Sequence, residues 1–279
     1  MPAMKSDLRE KARLLPADLR DVTVYNHEYR QAGSFYAFAK LAKESSEPDA
    51  VRHGIFYLWQ PLFDGLFWEL PGERRERALG LLDSLTAVGR TFLSGYYQGS
   101  PQNAVFNEWL EASESDLSAI DGMSYRRRQR NLDRSDDPDM PTPDDVLVFL
   151  RRFLQAAGDG VEIPDYLVGC ACGATEIAMP LAEMLECNIG FVKFSKDSGL
   201  KVVPEHVAAI NENTTGKKVI SVEDIVRSGE NMTMVMRYLH SYGPLSLIGA
   251  APCYQKELDW EMAIGPKKGL NILRLKKKD

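Results

Sequence analysis

The sequence predicts an α/β protein: a doubly wound, mostly parallel sheet preceded by an all-helical region. From Thr142 onward, short apolar runs alternate with helical segments, a pattern typical of parallel strands joined by right-handed crossovers. Residues 1 to about 120 instead carry apolar side chains at helical spacing and few strand signals. We therefore expect a helical N-terminal region at 1–122, a connector at 123–141 and an α/β domain at 142–279.

The composition excludes several classes of protein. A content of 44% hydrophobic and 27% charged residues in a 279-residue chain is ordinary for a globular protein. The net charge of −6 gives no electrostatic footprint for general nucleic-acid or membrane-surface binding. The longest apolar stretch, 55–70, is interrupted by polar residues and a proline, and no N-terminal run is typical of a signal peptide. These features predict no membrane association and a cytoplasmic location.

The N-terminal region is predicted to contain at least three helices. Segments 28–45 and 49–58 have helical spacing, and Pro61 is expected to break or kink the second. Pro71 then opens a long helix that ends near Gln98, with Gly99 at the C-terminal cap. The many aromatic residues favour a buried core over a base-stacking surface, because stripes at helical spacing usually pack inward.

Two further features have competing explanations. The arginine-rich run 126–130, followed by acids and prolines, favours a solvated linker over a phosphate-binding arm. Cys170 and Cys172 lack a second close Cys or His pair, which favours buried thiols over a metal site.

The α/β elements follow in regular order. Thr142 and Pro143 begin a helix that ends near Gly158. The later pattern predicts strands at 165–171, 189–195, 217–224, 245–251 and 270–275, with helices at 177–186 and 232–242. In such sheets, ligands bind at the carboxyl ends of the strands.

The stretch 219–231, VISVEDIVRSGEN, is the most informative part of the chain. A buried strand delivers two adjacent carboxylates, Glu223 and Asp224, at its end, and a turn containing Ser228 and Gly229 leads into a helix. The glycine allows tight backbone geometry, while the turn amides, the Ser228 hydroxyl and the helix N-terminus can hold a phosphate. The paired acids can accept hydrogen bonds from two neighbouring sugar hydroxyls.

This stretch closely resembles the PRPP-binding signature of type I phosphoribosyltransferases. The resemblance implies that Glu223 and Asp224 hold the ribose of PRPP and that Mg²⁺ enters with PRPP close to both acids. It further implies that a phosphate turn surrounds the 5′-phosphate, formed by Arg227, Ser228, Gly229, Glu230 and Asn231.

Two more segments resemble the same family. A glycine turn after a strand resembles its pyrophosphate loop and consists of Cys170, Ala171, Cys172, Gly173 and Ala174. Segment 191–199 resembles the basic strand end of orotate-type members, which implies pyrophosphate contacts from Lys196 first and Lys193 second. Exposed lysines at a strand end are an equally open explanation. Segment 199–216 is then expected to be a flexible flap over the site.

The sequence departs from the family pattern at several positions. Cys172 replaces a basic loop residue, Ala174 replaces a glycine, and Asn231 replaces a hydroxyl residue. Glu230 brings a negative charge into the phosphate turn. Arg227 stands where hypoxanthine-guanine enzymes carry an acid, which disfavours a plain 6-oxopurine substrate.

Two functional hypotheses remain. In the first, the protein is a transferase with Glu223, Asp224 and Lys196 as catalytic residues, and it moves ribose 5-phosphate from PRPP to an unidentified acceptor. Tyr254 and Trp260 could stack on that acceptor, although packing is the commoner role of such aromatics. In the second, the protein is a non-catalytic PRPP- or nucleotide-binding regulator of the same fold, which the atypical pyrophosphate loop favours. A homodimer is left open.

Overall fold

A computed structural model describes residues 2–17, 19, 40, 43–44, 47–67, 72–120, 142–171, 173–195, 199–226, 229–254, 260–267 and 270–275. The chain forms two compact units, one of residues 20–138 and one that combines 1–19 with 139–279. Among the described helices, none has the length and apolar character that crossing a bilayer requires.

The first helix, α1 (Pro2–Leu14), belongs to the second of these units. Leu8, Ala12 and Leu15 are buried, and the helix packs on α5 (Pro143–Asp159). The structure thus groups α1 with the α/β domain, whereas the boundaries 1–122, 123–141 and 142–279 place it with the helices that follow. The connector lies almost entirely outside the described residues, so those boundaries stay a prediction.

Polar contacts fasten α1 at its C-terminal half. Lys11 Nζ donates to the Met184 carbonyl at 3.2 Å and to Glu186 Oε1 at 2.8 Å. The Arg151 guanidinium of α5 donates to the carbonyls of Leu15 and Pro16, directly after the helix ends. These bonds satisfy carbonyls that a helix terminus otherwise leaves without partners.

The helical unit contains α2 (Pro48–Gly65), α3 (Gly72–Tyr97) and α4 (Asn103–Ile120). The predicted end of α2 near residue 58 is wrong, since the helix continues through Pro61 to Gly65. Leu62 and Phe63, on the far side of the proline, are buried, and this packing outweighs the one backbone hydrogen bond that Pro61 cannot donate. The predicted helix at 28–45 falls mostly outside the described residues.

Aromatic side chains form the core of the helical unit. Trp59 stacks on Phe63 with ring centroids 4.7 Å apart. The indole nitrogens find hydroxyl partners: Trp59 Nε1 donates to Thr86 at 2.8 Å and Trp109 Nε1 to Ser84 at 2.9 Å. These two tryptophans are therefore core residues, as their helical spacing predicts.

A buried polar cluster lies beside that core. Asp49 Oδ1 accepts hydrogen bonds from Tyr96 Oη at 2.6 Å and from Arg52 Nε at 3.3 Å. Arg52 also bonds to Nε2 of His53 at 3.1 Å. Burial, followed by the adjacent Arg52 charge, lowers the pKa of His53 to about 3, so the imidazole is neutral at neutral pH.

After the connector, the α/β domain continues with α5, which begins after Thr142 as the sequence predicts. A capping box between Thr142 and Asp145 stabilises this start. The elements after it are β1 (Tyr166–Ala171), α6 (Thr175–Leu185), β2 (Asn188–Ser195), β3 (Gly199–Lys201), α7 (Val207–Thr214), β4 (Lys218–Val222), β5 (Ile225–Val226), α8 (Glu230–His240), β6 (Ser246–Ala251), β7 (Cys253–Tyr254), β8 (Trp260–Lys267) and β9 (Leu270–Leu275).

The main sheet has the strand order β3-β2-β1-β4-β6-β9-β8. Its centre, β2-β1-β4-β6, is parallel, and the outer strands β3, β9 and β8 pair antiparallel. The short strands β5 and β7 form a separate parallel pair. Four parallel strands at the centre of the sheet confirm the predicted mostly parallel α/β fold.

Helices cover both faces of this sheet. A Cβ on Gly169 of β1 would lie 3.0 Å from Cβ of Ala178 on α6, whereas one on Gly249 of β6 would lie 3.1 Å from sulfur atoms on α8. Gly169 is paired with Val222, and Gly249 is paired with Ser221. Because Ser221 and Val222 are consecutive in β4, their side chains point to opposite faces of the sheet, and positions 169 and 249 therefore do so too. The sheet is therefore doubly wound, as predicted.

The segment expected to be a flap has regular structure instead. Gly199 begins β3, a single 3₁₀ turn covers Pro204–His206, and α7 follows. Ile210 and Thr214 of α7 are buried, so the domain core holds the C-terminal part of this segment.

Candidate active site

Two loops meet at the carboxyl edge of the parallel strands. Strands β1 and β4 are direct neighbours, with Gly169 paired to Val222. The chain leaves β1 through the loop of residues 170–174 and leaves β4 through residues 223–229. Because parallel neighbours end at the same edge of a sheet, the two motifs found in the sequence lie side by side.

The loop after β1 turns directly into α6. The Ala174 amide donates to the Cys170 carbonyl at 3.2 Å, and the Ala178 amide to the Ala174 carbonyl at 2.8 Å. Cys170 and Ala174 are buried, while Gly173 is exposed. Cys172 lies outside the described residues, so the structure leaves the position of its side chain open.

Cys170 is a structural thiol. Its sulfur lies 3.7 Å from Ser221 Oγ of β4. Burial, and then the nearby Glu223 charge, raise the pKa of this thiol, which keeps it protonated. Cys170 is buried and forms no disulfide, in agreement with the prediction of a buried thiol. Cys187 is also buried and free of a disulfide.

Gly173 lies against the carboxyl group of Asp224. A Cβ built on Gly173 would lie no more than 2.6 Å from each of the three carboxyl atoms of Asp224. No side chain at position 173 could be accommodated without displacing that carboxyl group. The second acid of the β4 motif is thus in direct contact with the loop that follows β1.

Glu223 lies in a different environment. It is 5% exposed, and its carboxyl group accepts hydrogen bonds from the Asn231 side chain and from the Met232 backbone amide. Oε2 of Glu223 is buried with no hydrogen-bond partner. Burial, followed by the Asp224 charge, raises the pKa of Glu223 to about 8, although the two hydrogen bonds oppose the shift.

The two acids diverge because they follow a strand. Successive side chains of an extended chain point to opposite sides, so Glu223 points to the same side as Ser221, whose Oγ lies 3.7 Å from the Cys170 sulfur. Asp224 turns toward Gly173. The sequence prediction gave Glu223 and Asp224 the same role. The alternation of side chains along a strand indicates instead that the two point in different directions.

The helix after β4 begins at a glycine with left-handed geometry. Gly229 is the N-cap of α8 with φ 71°, a conformation that residues with a Cβ rarely adopt. Glu230 is exposed in the first turn, and Asn231 bonds to Glu223. Arg227 and Ser228, the other two residues of the predicted phosphate turn, lie outside the described residues.

Basic residues lie at the same edge. Lys193 of β2 pairs with Ala171 of the β1 loop on one side and with Lys201 of β3 on the other. Lys201 was not predicted from the sequence, because β3 itself gave no strand signal. Lys196, the preferred pyrophosphate contact, lies outside the described residues.

A buried hydroxyl follows the β1 loop. Thr175, the first residue of α6, is 2% exposed, and its Oγ1 has no hydrogen-bond partner. The sequence prediction stopped at Ala174 and missed this residue. Thr175 could have been found from the sequence because it is a polar residue that directly follows a glycine turn at the start of a helix.

The site can be tested for its fit to Mg²⁺. Within the described residues, no group of three or more His, Cys, Asp or Glu side chains could hold a metal ion. Mg²⁺ commonly binds through one or two carboxylates together with substrate phosphates and water. The half-buried Asp224 carboxylate beside the loop suits that role, so the residues fit an ion that arrives with a phosphorylated substrate.

Comparison with known families finds a match, which lies in the α/β domain. The family model for the phosphoribosyl transferase domain matches residues 154–274, a range that includes every strand of the sheet except the last residue of β9. No curated protein matches the chain.

Proposed function

From the match of residues 154–274 to the phosphoribosyl transferase domain, we propose that the protein transfers ribose 5-phosphate from PRPP to a nitrogenous base or other nucleophile. The observation that carries the proposal is the contact between Gly173 and Asp224. It joins the loop proposed for the pyrophosphate to the acid proposed for the ribose.

Asp224 is proposed to accept hydrogen bonds from the ribose hydroxyls. Its carboxylate is half-buried at the strand edge, where a hydrogen bond to an ionised acceptor is stronger than in water. Residues 227–231 are proposed to hold the 5′-phosphate at the positive end of α8, with Gly229 providing close backbone approach.

The loop 170–174 is proposed to face the departing pyrophosphate. Its charge would come from neighbouring lysines: Lys193 beside Ala171 and Lys196 beyond the end of β2. In the reaction, the bond from ribose C1′ to the pyrophosphate oxygen breaks, the acceptor forms the new bond to C1′, and the acceptor loses a proton. Mg²⁺ bound to PRPP would neutralise charge that develops on the pyrophosphate. The protein's contribution is positional and electrostatic.

A PRPP- or nucleotide-binding regulator is the second candidate. Cys170 is a buried, protonated thiol and Ala174 is buried, so neither side chain offers positive charge to a leaving group. A site of this kind can bind ribose phosphate while stabilising pyrophosphate release poorly.

One experiment separates the two candidates. The purified chain is incubated with PRPP and Mg²⁺ and a panel of bases and amines, and pyrophosphate release is measured, alongside calorimetric titration with PRPP. Turnover with any acceptor supports the transferase. Tight binding of PRPP, or of a nucleotide titrated in parallel, without turnover supports the regulator. The absence of PRPP binding contradicts the transferase, and the absence of nucleotide binding as well contradicts both.

A further inference from the structure

We propose that Glu223 is a positioning residue that fixes the start of α8, which leaves Asp224 as the acid of the pair that meets the ribose. The inference rests on the proposed function, since it assigns separate roles to two acids of the same site. It departs from the expectation that both carboxylates hold ribose hydroxyls.

The first argument is the set of partners that Glu223 already has. Its carboxyl group accepts from the Met232 amide, and Met232 is the third residue of α8, which begins at Glu230. Amides in the first turn of a helix have no partner within the helix. Its own N-cap residue, Gly229, makes no side-chain cap bond. Glu223 therefore supplies, from the end of β4, the cap that the helix lacks locally.

The second argument is the bond to Asn231. The same carboxyl group accepts from the Asn231 side chain, one residue before Met232. Asn231, the last residue of the proposed phosphate turn, and Met232, which follows it, are thus both bonded to the side chain at the strand end. The Glu223 amide itself donates to the Ala250 carbonyl at 3.1 Å, so the anchor is continuous with the β4–β6 ladder.

The third argument is accessibility. Glu223 is 5% exposed and its remaining oxygen, Oε2, is buried. A ribose hydroxyl would have to displace protein atoms to reach it. Asp224, in contrast, is half-buried and lies beside the exposed Gly173. Glu223 therefore bonds to groups inside the protein, whereas Asp224 lies at the surface of the site.

The role predicts a specific effect on ligand binding. A residue that positions the phosphate turn affects every ligand with a 5-phosphate alike, whereas a residue that binds ribose hydroxyls affects only ligands that carry them. The affinity ratio between ribose 5-phosphate and 2,3-dideoxyribose 5-phosphate reports this distinction, because the second ligand lacks both hydroxyls.

The experiment measures both affinities by calorimetry in the full chain for the wild type, Glu223→Ala, Asn231→Ala and Asp224→Asn. In Glu223→Ala, both ligands are expected to lose affinity by the same factor, on the order of tenfold, the scale of a lost helix cap. Asn231→Ala is expected to lower both affinities in the same proportion. In Asp224→Asn, the ratio is expected to collapse toward one.

Two controls keep the test decisive. Glu223→Gln retains a carbonyl oxygen for the Met232 amide and supplies the same comparison should Glu223→Ala not fold. Glu212→Gln changes an exposed carboxylate on α7 and should leave both affinities unchanged.

The outcomes separate this inference from the proposed function. A ratio that falls in either Glu223 variant overturns the positioning role, even when the wild type binds PRPP. Failure of the wild type to bind any ribose 5-phosphate overturns the proposed function and this inference with it.

Discussion

The backbone of Gly173 packs directly on the carboxyl group of Asp224, so closely that the site has no room for a methyl group between them. Gly173 belongs to the loop after β1 and Asp224 to the loop after β4. The contact explains why a loop without basic side chains among its described residues still requires a glycine at this position. It also makes the two residues sensitive to each other's substitution.

Gly173→Ala is expected to weaken PRPP binding with little change in thermal stability. The added Cβ displaces the Asp224 carboxyl group, while Gly173 is exposed and the three atoms nearest to that Cβ all belong to Asp224. Calorimetry with PRPP and a thermal melt measure the two effects. Gly80→Ala is the matched control, because a Cβ there meets nothing within 4 Å in the middle of α3; it should raise stability by up to about 1 kcal/mol. Unchanged PRPP affinity in Gly173→Ala would contradict the prediction.

Asp224→Asn is expected to weaken PRPP binding by about 1–3 kcal/mol, the scale of a charge-assisted hydrogen bond. The substitution keeps the shape of the side chain and removes its charge. Titration calorimetry at fixed Mg²⁺ concentration measures the change, and Glu162→Gln, an exposed carboxylate before β1, serves as the control. Equal affinities for Asp224→Asn and the wild type would remove Asp224 from the site.

The buried Glu223 predicts a loss of domain stability as the pH rises. Its pKa is about 8 in the folded state and about 4.5 when unfolded. Below about pH 4.5 both states are protonated, whereas between these values only the folded state holds the proton. The free energy of unfolding contributed by this group therefore falls as the pH rises through that window. Hydrogen exchange in β1 and β4 measures the free energy of unfolding at each pH. Glu223→Gln should make that free energy depend less on pH. An equally steep profile in the variant would rule out Glu223 as the cause.

His53 predicts the opposite dependence in the helical unit. Its pKa falls from 6.5 to about 3 on folding. Between these values the unfolded state binds a proton that the folded state excludes, so the free energy of unfolding falls as the pH is lowered from about 6.5. In a Trp260→Phe background, which removes the tryptophan of the other unit, the fluorescence of the buried Trp59 and Trp109 reports unfolding of this unit. His53→Gln should reduce the acid sensitivity, and no reduction would assign it to other groups.

The positions of the strands and loops around the site could be predicted because they depend on local patterns. The run 219–222 is mostly apolar, with two lysines before it and two acids after it, and the turn at Gly229 has a glycine where left-handed geometry is required. These signals are short-range, so tertiary context alters them little. The same is true of the cap at Thr142, where Asp145 completes the capping box.

Other features depend on packing that the sequence does not display. α7 has only Ile210 and Thr214 among its buried residues, too few to give a helical period, so its segment resembled a loop. Pro61 is expected to break or kink a helix, but α2 continues through it because its neighbours on both sides are buried. The inward direction of Glu223 depends on a helix that begins seven residues later, because that helix supplies both of its partners.

The position of α1 affects how this protein can be made and dissected. On the ribosome, Leu8, Ala12 and Leu15 emerge before the α5 surface that buries them, because residues 20–138 are synthesised in between. A fragment starting at Asp139 would lack that helix and the Lys11 bonds to Met184 and Glu186. The α/β domain is therefore best produced by itself as a chain that joins 1–19 to 139–279 through a short flexible linker.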